Sequence, residues 1–251
     1  MFVKTKGLVL RSTDYGDSDK LLTVLTDSLG KITVKARGIK HGRNTMKAPC
    51  QLMAYSELNL MEQQGRYVLT EANTIELFTE LQGDIELLSL SSYFLQVTET
   101  AAQEEDPEPE LLSLLLNVLY ALGKLRKPQA LVKAVFELRL CVLVGFLPDL
   151  EGCGDCGDRE VKYFHIMDGQ LYCPTCGQSH SDGIRMPVSR GTLDAMGYIC
   201  YAPAKQLFSF RISDKALEEL GAITEAYLCT RFERGFYTLD FYKTLFYGVN
   251  L

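Results

Sequence analysis

Lys31-Ile-Thr-Val-Lys-Ala-Arg37 alternates with period two: Ile32, Val34 and Ala36 are apolar, and Lys31, Lys35 and Arg37 are cationic with Thr33 between them. A strand sends successive side chains to opposite faces, so the apolar set faces a core and three cations line the other side. Turn signals bracket this strand, with Asp27-Ser-Leu-Gly30 before it and Gly38 after it. Upstream, Gly7–Arg11 and Lys20–Thr26 read as strands around the turn Asp14-Tyr-Gly-Asp-Ser-Asp19. Downstream, Gln51–Leu60 and Arg66–Ala72 supply two more, separated by Gln63-Gln-Gly65. Five strands with no long helix between them predict a small closed barrel such as an OB-fold, with a short SH3-like barrel as the structural rival.

The loop after the third strand, Gly38-Ile-Lys-His-Gly-Arg-Asn-Thr-Met-Lys47, continues the positive charge, and no acidic residue occurs between Gly30 and Tyr55. The whole chain of 251 residues carries a net charge of −6. Its first 49 residues nevertheless hold ten lysines and arginines against four aspartates, a surplus of six that leaves −12 for the remainder. A local field attracts a polyanion whatever the sign of the total. Arg11, Lys31, Lys35, Arg37, Lys40, Arg43 and Lys47 are therefore the candidate DNA-binding residues. The competing reading is a solvated face with a charged turn. His41 lies in the same loop, within reach of a phosphate. Aromatic residues are sparse here (Phe2, Tyr15, Tyr55, Tyr67), so backbone electrostatics is expected to outweigh base stacking, without sequence-specific readout. Asp14, Asp17 and Asp19 read as a solvated turn, because they lack the spacing and distal Glu of a calcium loop.

After Leu81 the pattern becomes helical. Ile85–Ala102 is one helix. The acidic stretch Gln103-Glu-Glu-Asp-Pro-Glu-Pro-Glu110 reads as a linker and helix start, with Asp106 as cap and Pro107 in the first turn. A second helix follows over Leu111–Leu125, and a third over Gln129–Val144 that is apolar nearly all round and expected to be the buried centre of a bundle. Helices are also expected from Ser189 to Cys200, from Lys215 to Arg231 behind a Ser213 cap, and from Leu239 to Tyr247. The aromatics Phe236, Tyr237, Phe241, Tyr242, Phe246 and Tyr247 are read as core packing more than as a stacking platform.

Between these helices lie Cys153-Gly-Asp-Cys156 and Cys173-Pro-Thr-Cys176, joined by a hairpin of Val161–Ile166 and Gln170–Tyr172. Two such pairs at this separation predict one tetrahedral Zn²⁺ held by Cys153, Cys156, Cys173 and Cys176. Four thiolates leave no position for a reacting water, so the metal is expected to be structural. Disulfides are disfavoured because Met1-Phe-Val-Lys-Thr-Lys6 lacks the apolar core of a signal peptide, which points to the reducing cytoplasm. A thioredoxin-like pair would follow a βαβ pattern and would not have an upstream twin. A zinc deaminase would need a His-x-Glu segment that the chain lacks. Between Cys153 and Cys176 acidic residues outnumber basic ones by two, so the module is expected to clip the fold together, not to hold phosphate. The scattered Cys50, Cys141, Cys200 and Cys229 read as small buried hydrophobes.

The expected architecture is thus α+β and multidomain. An OB-fold β-barrel covers 1–80, an α-helical domain covers 81–150 and 184–251, and a four-cysteine zinc-ribbon-like module at 151–183 is inserted in it. No apolar run approaches membrane-spanning length. The chain contains no P-loop, His-Glu-x-x-His or Gly-x-Ser-x-Gly motif, and no catalytic constellation is expected.

Three segments together resemble the RecO family of bacterial recombination mediators. They are Gly7-Leu-Val-Leu-Arg-Ser-Thr-Asp-Tyr-Gly-Asp-Ser-Asp-Lys-Leu-Leu-Thr-Val-Leu-Thr26 with Gly30–Gly38, then Phe136–Leu150 running into Cys153-Gly-Asp-Cys156, and the returning Cys173-Pro-Thr-Cys176. The resemblance covers essentially the whole chain. It implies a non-enzymatic, cytoplasmic, nucleoid-associated DNA repair protein that binds single- and double-stranded DNA and anneals complementary strands. It also implies work with RecR to load RecA onto strands coated by single-strand binding protein, whose acidic C-terminal tail docks on the helical domain. Lys133 and Arg139 lie on the relevant helix, with no local motif to assign them. The alternative is an interaction adaptor whose barrel only positions the helices.

Overall fold

A computed structural model describes residues 1–40, 45–180 and 182–247. In chain order these form β1 (Phe2–Tyr15), β2 (Asp19–Thr26), β3 (Lys31–Ala36), a 3₁₀ turn (Thr45–Cys50), β4 (Tyr55–Gln63) and β5 (Arg66–Glu76). There follow α1 (Thr79–Gln82), α2 (Ile85–Ala101), α3 (Pro109–Gly123), α4 (Gln129–Leu143), β6 (Tyr163–His165), β7 (Gln170–Tyr172) and β8 (Arg185–Pro187). The chain ends with α5 (Arg190–Tyr201), α6 (Asp214–Arg231) and α7 (Tyr237–Tyr247). No helix among the described residues is long and apolar enough to cross a membrane.

The strands β1 to β5 close into a barrel in the order β1-β2-β3-β5-β4. All neighbours are antiparallel except β3 and β5, which pair in parallel at Val34–Tyr67 and Lys35–Val68. This is the Greek-key closure of an OB-fold, and it decides against the SH3-like rival. The first strand is much longer than the expected Gly7–Arg11, because it serves two neighbours. Phe2–Leu8 pairs with β4 and Gly7–Tyr15 with β2, with a register shift between Val9 and Arg11 where the strand bends. A Cβ at Gly7 would lie 2.6 Å from Val24 Cγ1 and 2.9 Å from the Leu25 carbonyl oxygen, so glycine is what allows this close approach of β1 to β2. The alternation in β3 holds: Ile32, Val34 and Ala36 are at most 1% exposed and pack with Val9, Leu22, Val24, Leu58 and Leu60. The expected strand at Gln51 begins later, at Tyr55, since Gln51–Ala54 turns back on itself through an Ala54 N–H to Gln51 carbonyl bond of 3.1 Å.

By contacts the described chain forms two compact units, one holding Met1–Lys124 with the segment returning from Phe236, the other Leu125–Gly235. The expected division into 1–80, 81–150 with 184–251, and 151–183 follows element type, and the contact grouping cuts across it. Helices α2, α3 and α7 group with the barrel, and α4, α5 and α6 group with the cysteine module.

In the first unit, Asp84 starts α2 by accepting from the Glu86 and Leu87 amides at 2.9 and 3.2 Å. The acidic stretch after α2 is not a free linker. The Lys31 amide donates to the Gln103 carbonyl at 3.4 Å, the Glu105 amide donates to the Lys31 carbonyl at 3.1 Å, and a Cβ at Gly30 would overlap the Asp106 backbone. Asp106 therefore lies against the barrel instead of capping α3, whose first residue is Pro109, not Pro107. Helix α7 docks on α2 through Thr238 Oγ1, 2.5 Å from Gln96 Oε1. The aromatics here divide: Phe236, just before α7, and Tyr242 are buried, Tyr237 and Phe241 are exposed, and the side chains of Phe246 and Tyr247 lie outside what the structure describes.

In the second unit α4 is buried along most of its length, as its composition predicts. Ser189 and Ser213 cap α5 and α6, each accepting an amide hydrogen at 3.4 Å. Strand β8, not expected from the sequence, joins β6 to make the three-stranded order β7-β6-β8.

Candidate metal centre and cationic barrel face

The β6–β7 hairpin delivers Cys173 directly from the end of β7, and Cys153 is bridged alongside Leu171 of the same strand. Each Cys pair is wound into a tight turn. The Gly157 amide donates to the Cys153 carbonyl at 2.8 Å, and the Gly177 amide to the Cys173 carbonyl at 2.9 Å. The four Sγ atoms all lie within 4.8 Å of one another, with Cys156 and Cys173 at 3.9 Å. A tetrahedral zinc with Zn–S bonds of about 2.3 Å places its sulfurs about 3.8 Å apart, so the donor set and spacing fit a tetrathiolate metal centre.

Electrostatics at the cluster favours one thiolate over several when no cation is present. Burial opposes ionisation of Cys153, but the amides of Cys173, Cys156 and Asp155 outweigh it and hold the thiol at about 6. Cys176 is pushed up chiefly by the neighbouring Cys156 and Cys173 sulfurs. The surrounding support is slight: Cys153, Tyr172 and Cys173 are the buried members of this small core, with Val161 and Cys176 packed on it. Around it, Tyr172 and His180 face each other at 4.1 Å between ring centroids, and His180 Nε2 meets Asp155 Oδ2 at 2.9 Å. Arg185 of β8 donates to the Gly177 carbonyl, tying the third strand to the second Cys turn. Of the scattered cysteines, Cys50, Cys141 and Cys200 are buried and Cys229 is half-buried.

On the barrel, the candidate cations are distributed differently from the expectation of an acid-free stretch. Arg11 is bound to Glu99 of α2 at 2.9 Å. Lys31 Nζ donates to the Glu99 carbonyl at 2.9 Å and lies 3.4 Å from Glu104. Its side chain is only 14% exposed, against 27% for Lys40, 33% for Lys35 and 60% for Arg11. Lys35 meets Asp19 at 3.1 Å and lies over the Tyr15 ring at 4.7 Å. Lys40 meets Asp14 at 3.0 Å and donates to the Gly16 carbonyl at 3.1 Å. Carboxylates distant in sequence thus fold onto the basic strand. Arg37 is exposed, Lys47 is half-buried, and neither has an ion-pair partner among the described residues. Arg43, like His41, lies outside the described residues. The three aspartates read as a solvated turn serve partly as anchors: Asp19 also accepts from the Gly38 amide at 2.9 Å.

Sequence reasoning missed a buried ionic network in the second unit. Lys133 Nζ lies 2.7 Å from Glu137 and 2.8 Å from Glu225, and Thr224 donates to Glu137 at 2.8 Å. Burial works against the Lys133 charge, but the two carboxylates outweigh it and raise its pKa. Arg139 donates to the Ile199 and Cys200 carbonyls at the end of α5, at 3.1 and 2.5 Å. Both cations are engaged inside the fold.

Residues 1–87 match the family described as "Recombination protein O N terminal", and residues 82–240 match "Recombination protein O C terminal". Among curated proteins, the chain is similar to the "DNA repair protein RecO" of Acetivibrio thermocellus, with 30% identity over 246 residues and 97% of each chain covered. It is likewise similar to that of Caldicellulosiruptor bescii, 28% identical with 96% of this chain and 98% of the relative covered. The protein of the same name from Halalkalibacterium halodurans is 31% identical over 177 residues, covering 70% of this chain and 69% of the relative.

Proposed function

Since the chain belongs to the RecO family of DNA repair proteins, we propose that it is a recombinational repair mediator that binds single- and double-stranded DNA without reading sequence and anneals complementary strands. The observation that carries this reading is the outward row of Lys35, Arg37 and Lys40 at one end of the closed barrel. Annealing is opposed by phosphate repulsion, and a cationic platform lowers that barrier without base contacts. The contact set comprises Arg11, Lys31, Lys35, Arg37, Lys40, Arg43 and Lys47; among the described residues, Arg37 and Lys47 have no ion pair to release. In this reading the protein works in the cytoplasm at the nucleoid. It acts with RecR and the C-terminal tail of single-strand binding protein so that RecA is loaded on coated strands, and it carries out no bond-breaking chemistry of its own. The four cysteines hold one structural Zn²⁺, which fixes the Cys turns and takes no part in DNA contact.

The test is the double charge reversal Lys35→Glu/Arg37→Glu in the full chain. Loss of affinity and a shallower dependence on salt are expected, whereas an unchanged affinity and slope discard the DNA face. Labelled DNA incubated with Mg²⁺ or Mn²⁺ should remain intact.

A second reading has a specific observation in its favour. Arg11, Lys31, Lys35 and Lys40 are already satisfied by carboxylates, as an adaptor that only positions its helices would have them. A full chain that retains single-strand binding protein yet binds no DNA at low salt would support the adaptor.

A further inference from the structure

We propose that Tyr15 is a stacking seat for one unpaired base, giving the barrel a preference for single-stranded over duplex nucleic acid. The inference rests on the DNA-binding reading of the same face and names the residue that discriminates between its substrates. Tyr15 ends β1 at the β1–β2 turn, opposite Asp19 in the antiparallel register, and its side chain is half exposed. In an OB-fold this turn and the β2–β3 face are where oligonucleotides bind. Exposure of one aromatic residue is common; what distinguishes Tyr15 is its setting.

The ring is held from one side by the Lys35 ammonium, 4.7 Å from its centroid, and that ammonium is itself held by Asp19 at 3.1 Å. The turn bearing Tyr15 is laced to the turn that follows β3. The Gly38 amide donates to Asp19 Oδ1 at 2.9 Å, the Lys40 amide to the Ser18 carbonyl at 3.0 Å, and Lys40 Nζ to the Gly16 carbonyl at 3.1 Å. Five residues of the two turns, Gly16, Ser18, Asp19, Gly38 and Lys40, thus fix the aromatic platform before any ligand arrives, which removes an ordering cost from binding. Arg37, exposed and without an ion-pair partner among the described residues, emerges between Lys35 and the laced Gly38, where a phosphate flanking the stacked base would lie. Lys35 faces the ring from one side, and Arg37 adds a cation that no ion pair engages among the described residues.

Stacking acts on the face of a base, which a single strand offers and a duplex buries. It involves no counterion release, so it adds affinity without adding salt dependence. Electrostatic contacts add both affinity and salt dependence.

The experiment compares full-length wild-type chain, Tyr15→Ala and Tyr15→Phe on an oligothymidylate, the same strand with abasic sites, and a duplex. Tyr15→Ala is expected to lose about tenfold in affinity for the oligothymidylate. On the abasic strand and the duplex it should match wild type, with an unchanged salt slope throughout, and Tyr15→Phe should restore the affinity. Equal losses on all three ligands, or no loss on any, overturn the proposal. The Lys35→Glu/Arg37→Glu variant separates this from failure of the underlying reading. If that variant loses affinity while Tyr15→Ala behaves as wild type, the stacking seat alone is wrong. If both behave as wild type, the DNA face is wrong as well.

Discussion

Arg11 and Glu99 meet through a single carboxylate oxygen: Nε and Nη2 of the arginine both lie 2.9 Å from Glu99 Oε1. Glu99 sits in the last turn of α2, and its main-chain carbonyl accepts from Lys31 at 2.9 Å. A helix C-terminus carries partial negative charge and favours cations, so one residue engages two of the candidate DNA contacts.

Glu99→Gln therefore makes a discriminating substitution. It removes the carboxylate charge from Arg11 but leaves the backbone carbonyl that holds Lys31. The pair is well exposed on the arginine side, at 60%, so the expected stability change is about 0–1 kcal/mol. On the proposed DNA face the freed Arg11 raises affinity and steepens the salt slope by about one phosphate contact. Titrations at several salt concentrations check this; unchanged binding would remove Arg11 from the contact set.

The cysteine module is expected to depend on its metal. The buried cluster around the sulfurs holds three residues, two of them cysteines, so the Cys turns themselves have little apolar packing to hold them without a staple. Purified protein should release one zinc per chain when the thiols are titrated. Chelation or Cys173→Ser should lower the melting temperature and expose the β6–β7 hairpin to proteolysis, while DNA affinity at low temperature is retained. A Cys173→Ser protein that melts like wild type, or a well-folded one that selectively loses DNA binding, would contradict the assignment.

What could be read from the chain divides along the range of the interactions involved. The alternation at Ile32, Val34 and Ala36 is a property of neighbouring residues, and the barrel buries those positions. The Cys-x-x-Cys spacing is equally local, and the four sulfurs converge. The reach of β1 to Tyr15 was not legible, because its ends are set by hydrogen bonds to two different partners. Nor was β8, a three-residue strand that exists through pairing with β6. The carboxylates on the basic face come from the β1–β2 turn and from the end of α2, far from β3 in sequence, so a scan for acids between Gly30 and Tyr55 could not find them. A signal for the buried network did exist. Lys133 and Glu137 stand at i,i+4 in a helix otherwise apolar all round, a position where a charge survives only if paired.

That network predicts an asymmetry between single and double substitutions. Glu137 is fully buried, and Lys133 is 8% exposed. Lys133→Met leaves Glu137 without its cation beside the Glu225 carboxylate, an expected loss of about 3–5 kcal/mol. Adding Glu137→Leu removes the stranded charge and should recover much of the loss, since a well-packed apolar pair replaces a buried ion pair at little net cost. Denaturant unfolding of the two variants checks the sign; equal destabilisation by the single and double variants would show that packing, not charge, decides the site.

Asp19 gives a pH dependence with a defined direction. The Gly38 amide first, and then the Lys35 ammonium, lower its carboxyl from an ordinary 3.8 to about 2. A group with a depressed folded pKa adds stability that is complete above its unfolded value and disappears as the pH falls through its folded value. The contribution of Asp19 is therefore constant from neutrality down to about pH 4 and lost between there and about pH 2. Asp19→Asn keeps an acceptor for the Gly38 amide but lacks the charge that holds Lys35 against Tyr15. The wild type and this variant should differ by a constant amount in denaturant midpoint above pH 4 and converge below it. A carboxyl resonance followed by NMR should titrate near pH 2 in the folded protein. Titration at the ordinary carboxylate value, or a stability difference that persists unchanged to pH 2, would mean that the lacing of the two turns does not depend on the Asp19 charge.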